Sequence, residues 1–234
     1  MEPTSNREQL FQSLIAKSTL KQDIYSNTLT SLRMIKRVIE DLTKDYTIKA
    51  EEVKSHRNVA FENRYRGDFE IELKFGADIL LFLMHTNVFE FSRDHEVMRT
   101  PYIRENKERS YCGIINIYNF LSDSFKYNRF NDVGYLIGRI FINKENHYFI
   151  EGKRELGFLY NDFGKHEMNT DAAKQIIETA IQYTINFDLL TPPYETVKTV
   201  TVNEMKNTLD AISMKTGKRL GFHFQQDIIK TEID

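Results

Sequence analysis

One row of positions runs through the first fifth of the chain at alternating steps of three and four. It comprises Phe11, Leu14, Ser18, Lys21, Tyr25, Thr28, Leu32, Ile35, Ile39 and Leu42. That spacing predicts a single long helix. From Tyr25 onward the row is apolar apart from Thr28, with Arg33, Lys36, Arg37 and Asp41 largely off it. Such a stripe has two uses: packing on the chain's own sheet, or forming the seam of a helical dimer. Tyr25, Leu32, Ile35, Ile39 and Leu42 are the expected interface residues, and self-association through this helix is the expected partnership. Residues 1–47 are set apart as a helical segment, ahead of an α+β domain over 48–234.

From residue 69 the period changes to two, and Phe, Ile, Tyr and Val dominate. The alternation predicts strands over 69–75, 79–84, 88–92, 113–121, 134–142, 147–151 and 156–160. Short connections such as Phe75-Gly76-Ala77-Asp78 and Asn143-Lys144-Glu145-Asn146 leave no room for a crossover, so neighbouring strands must run antiparallel. The polar stretch 93–110 is the one long connection, and it is expected to be mobile or to bind a partner.

A second helix is predicted over 170–189, capped by Asn169 or Thr170 and stopped by Pro192-Pro193. Its face is Ala173, Ile176, Ile177, Ala180, Ile181, Thr184 and Ile185. "TVKTVTV" (196–202) reads as a late strand. Asn203 then caps a short helix carrying Met205, Leu209 and Ile212, within a strand-and-helix unit over 196–215. The expected architecture is α+β: a long N-terminal helix, an antiparallel meander of about six or seven strands, and C-terminal helices packed on the sheet.

Composition adds a few bounds. The 234 residues are 41% hydrophobic and 28% charged, a globular balance. A net charge of −2 gives no overall attraction to nucleic acid or anionic membrane. Cys112 is the only cysteine and cannot form an intramolecular disulfide, which fits a reducing compartment. With no apolar run of about 18 residues, no membrane span is expected, and the expected location is cytoplasmic.

The chemistry-bearing patterns are sparse. "FEIELKF" (69–75) alternates Phe69, Ile71, Leu73 and Phe75 with Glu70, Glu72 and Lys74. Asp68, Glu72 and Lys74 could serve a nuclease of the restriction-enzyme type, where two carboxylates hold a divalent cation and a lysine positions water. The antiparallel hairpins that follow do not suit that core, and alternating charges also pair across ordinary strands. Asp162-Phe163-Gly164 has the letters of the kinase magnesium motif without its companions. Ser18–Lys21, Ser122–Ser124 and Lys215–Gly217 imitate a serine β-lactamase set, but their first member lies on the long helix. The six histidines show no metal-ligand spacing, so no cofactor is expected.

The first functional expectation is a cytosolic, non-catalytic binding or assembly protein, homodimeric, with an unidentified protein partner at the sheet or the 93–110 stretch. A metal-dependent phosphodiesterase is the second. A sensor domain with an aromatic pocket of Tyr118, Tyr135, Phe141 and Tyr148 is the third.

Overall fold

The computed structural model describes residues 6–53, 59–153, 155–158, 162–203, 205 and 217–218. Helix α1 (Asn6–Val53) is unbroken and passes residue 47 without a joint. The strands are β1 (Phe61–Tyr65), β2 (Glu70–Phe75), β3 (Asp78–Met84), β4 (Phe89–Glu90), β5 (Tyr111–Leu121), β6 (Tyr135–Ile142) and β7 (Tyr148–Gly152). They form one open antiparallel sheet in the order β1-β2-β3-β5-β6-β7, with β4 pairing the first residues of β5. The expected α+β architecture, with a long N-terminal helix and an antiparallel meander, is what the chain adopts.

One face of the sheet carries the main core. Ile71, Leu73, Leu80, Phe82, Ile115, Ile117, Ile140 and Ile150 from the strands meet two helices there. Leu32, Ile35, Val38 and Ile39 come from α1, and Ala173, Ile176, Ile177 and Ala180 from α5 (Thr170–Ile185). Asn169 caps α5 by accepting the Ala172 amide at 2.8 Å. Helix α1 runs diagonally: Lys17 lies over Tyr111 at the start of β5, Thr28 over Gly113, and Tyr46 stacks on Phe61 of β1. The crossing is tight at Gly113, where a Cβ would sit 2.0 Å from the Thr28 hydroxyl oxygen. Only glycine lets the helix approach the strand this closely.

The opposite face has a second, smaller core. Val97, Ile103, Cys112, Phe141 and Phe163 are buried together, flanked by Phe91, Tyr102 and Phe149. The 93–110 stretch therefore folds into a cover: a 3-10 turn at Glu96–Arg99, helix α2 (Pro101–Glu105) and a second 3-10 turn at Lys107–Ser110. Thr100 caps α2, accepting from the Ile103 amide, and Pro101 sits in its first turn, where no N–H is needed.

Four local expectations are corrected. Strand β1 follows α1 although no strand is expected before residue 69. Residues 156–158 are helical, not part of a strand, and 159–160 lie outside the described residues: helix α4 (Glu155–Phe158) packs back on β7, with Gly157 against the Gly152 carbonyl and Leu156 fully buried. A short apolar run does not distinguish strand from helix by period. Helix α5 stops at Ile185 rather than 189; Phe187 stacks on Tyr183, and Leu189–Leu190 pairs as β8 with β9 (Gly217–Lys218). "TVKTVTV" forms no strand; α6 (Tyr194–Val197) takes its first two residues, and residues 196–202 are all exposed. β-branched residues favour strands where they have a surface to pack on, and this segment has none. Helix α3 (Ser122–Lys126) follows β5. Leu209 and Ile212 lie outside the described residues.

Candidate functional site

The charged strand is the first place to look. Glu70, Glu72 and Lys74 alternate with the core residues Ile71 and Leu73, so they face away from the helices. In register, Glu72 lies opposite Arg64 of β1 and Lys74 opposite Glu62. Arg66 also reaches Glu72 at 3.5 Å, leaving that carboxylate 4% exposed. Glu72 and Lys74 thus each face an opposite charge across the strand pair, and Arg66 lies 3.9 Å from Glu70. Asp68 sits in the bend before β2. Among the described residues no three His, Cys, Asp or Glu side chains gather as a metal site would require.

The aromatic candidates fall on two sides of the sheet. Tyr148 is in the main core, and Tyr135 packs against it beside Phe187. Phe141 is in the smaller core, and Tyr118 alternates with the core residue Ile117 and so points the same way as Phe141. The four line no common cavity.

The best-developed polar arrangement holds the 93–110 cover down. His95 Nδ1 accepts the Val97 amide, which assigns the ring proton to Nε2, and Nε2 donates to Glu151 Oε1 at 2.7 Å. Arg139 donates to the other oxygen of Glu151. Burial works to raise the Glu151 carboxyl, but the bonds from His95 and Arg139 outweigh it and hold it below the usual carboxylate range. A second cluster lies nearby. Tyr102 donates to Glu145 at 2.8 Å, Asn143 donates to the Tyr102 hydroxyl, and Arg109 Nε donates to Glu145 at 2.9 Å. Here too burial opposes the shift, and the bonds from Arg109 and Tyr102 keep Glu145 low. Burial, with the adjacent carboxylate, pushes the Tyr102 phenol well up.

Asn143 joins these elements. Its side-chain oxygen accepts the Glu145 and His147 amides, while Asn27 of α1 donates to the Asn143 and Lys144 carbonyls. Both ring nitrogens of His95 are engaged, and Glu151 and Glu145 each have an arginine partner. These bonds clamp segments of the chain to one another. Phe163 of the Asp-Phe-Gly triplet is a core residue, and Gly164 packs under Tyr102. Burial pushes the Cys112 thiol far up, which leaves it a packing residue.

The N-terminal helix presents a different surface from the one its sequence suggests. Leu32, Ile35 and Ile39 are at most 2% exposed within the chain itself, and Tyr25 and Leu42 pack against the same core. By contrast every described residue from Asn6 to Lys17 is exposed, including Leu10, Phe11, Leu14 and Ile15, each more than half exposed. This projecting arm of α1 is about 18 Å long. Where it joins the body, a groove of about 470 Å³ opens between Lys21, Gln22 and Tyr25 of α1 and the Thr86–Phe89 turn.

The two surfaces separate for a geometric reason. A repeat of 3.5 residues drifts about 20° per heptad on a straight α-helix. Over the span from Phe11 to Leu42 the row rotates by roughly a quarter turn. Its C-terminal half meets the sheet, and its N-terminal half swings to the side. Among the described residues no helix is long and apolar enough to cross a membrane. Compared with known proteins, the chain matches no family model, no curated protein and no solved structure.

Proposed function

We propose that this chain is a non-catalytic binding or assembly protein that works as a homodimer through its N-terminal helix. The observation that carries the reading is the projecting arm of α1. Leu10, Phe11, Leu14 and Ile15 form an apolar patch on this helix, each more than half exposed. Such a patch weakens solubility unless a partner covers it. The clamps at His95 and Tyr102 add support from the other direction, because they use the protein's best-placed polar groups to fasten its own segments.

The test is sedimentation velocity of the full-length chain against a form lacking residues 1–15. Leu20 is the first core residue of α1, so this deletion spares the core. The expected result is a dimer for the full-length chain and a folded monomer for the shortened one. A full-length monomer at micromolar concentration contradicts the reading.

A further inference from the structure

The arm and the groove lie on one line of the helix. At 100° per residue, Leu10, Phe11, Leu14 and Ile15 centre on the same angle as Lys21, Gln22 and Tyr25, with Ser18 between them. That angle is roughly 100° around the helix from the buried face formed by Leu20, Ile24, Leu32, Ile35 and Ile39. One half of this line is apolar and projects; the other half is the wall of an open groove. The two halves are complements on a single molecule.

We infer that two copies pair antiparallel along α1 about a two-fold axis at Ser18, so that the arm of each fills the groove of the other. This rests on the dimeric reading above and specifies its geometry. With Ser18 facing its counterpart, Phe11 meets Tyr25 of the second copy, Leu14 meets Gln22, and Ile15 meets the aliphatic stem of Lys21. Val88 and Phe89, the latter 38% exposed, form the far wall that closes over the incoming helix. Serine at the crossing lets the two backbones approach.

The interface is isologous and closed, so it stops at two chains. A single arm patch is too small for a stable contact. Doubling it by symmetry and adding both grooves brings the buried area to the order of 1,000 Å², the size a specific interface needs.

Cross-linking tests the geometry. Ser18→Cys places two thiols at the axis, and the native Cys112 is buried and does not compete. Mild oxidation is expected to convert most of the Ser18→Cys chain into a covalent dimer. Ser13→Cys, exposed but on another side of the helix, is expected to give little. Phe89→Asp, at the groove wall, is expected to raise the dimer dissociation constant at least about tenfold with the circular dichroism spectrum unchanged. A dimer in sedimentation that neither cross-links through Ser18→Cys nor weakens with Phe89→Asp overturns this pairing while leaving the dimer intact. A monomer in sedimentation overturns the pairing and the dimer together.

Discussion

At the scale of single residues, the 93–110 cover depends on ionised carboxylates. Glu145 and Glu151 both have folded pKa values below the ordinary 4.5. A carboxyl lowered on folding contributes stability that is fully present above its unfolded value and is lost as pH falls through its folded value. The cover should therefore stay closed near neutral pH and loosen as pH drops below about 4.5. Hydrogen exchange, corrected for intrinsic rates, checks this. Protection over 93–110 should fall on acidification before that of the core of α1, and Glu151→Gln should lose part of it at neutral pH. Equal protection at both pH values would contradict the clamp. Gly113 gives a second case. Gly113→Ala should cost about 1–3 kcal/mol in urea unfolding, and adding Thr28→Ala should recover only part of it, because the residue 28 Cβ would still lie 2.8 Å from the new methyl.

At the scale of elements, α1 divides into a half that holds the fold and an arm that does not. Ile35→Ala or Ile39→Ala should each cost about 2–5 kcal/mol, the usual range for emptying a core site. Leu14→Ala or Ile15→Ala should stay within about 0.5 kcal/mol, measured at concentrations low enough to dissociate a dimer. Equal costs in the two halves would refute the division. The strands of the meander were legible in the sequence, because alternation over Glu70–Phe75 and Tyr111–Leu121 reflects one buried face. The helical row was legible as a helix but not as two surfaces, since its 3.5-residue period hides the slow rotation of a 3.6-residue helix. The fold of the 93–110 cover was not legible because its apolar residues are few. Thr100-Pro101 was the available signal, a cap followed by a first-turn proline. Leu189–Leu190 could not be assigned locally, because its pairing partner lies at Gly217–Lys218.

At the scale of the whole molecule, an open sheet is covered on one face by α1 and α5, and over part of the other by the 93–110 segment. The internal polar groups are spent on joining these layers, with Asn143 linking α1, the β6–β7 hairpin and Tyr102. The arm of α1 and the groove at its base take no part in this joining. Removing residues 1–44 would not test an assembly role, because it takes Leu32, Ile35 and Ile39 out of the core. A surface change is the sharper tool. The most direct measurement is the solution mass of the wild-type chain and of a Phe11→Asp, Ile15→Asp double variant, each with its thermal unfolding profile. The account predicts twice the 27.7 kDa chain mass for wild type, and a folded protein of single-chain mass for the variant. A single-chain mass for the wild type, or an undiminished dimer in the variant, would contradict it.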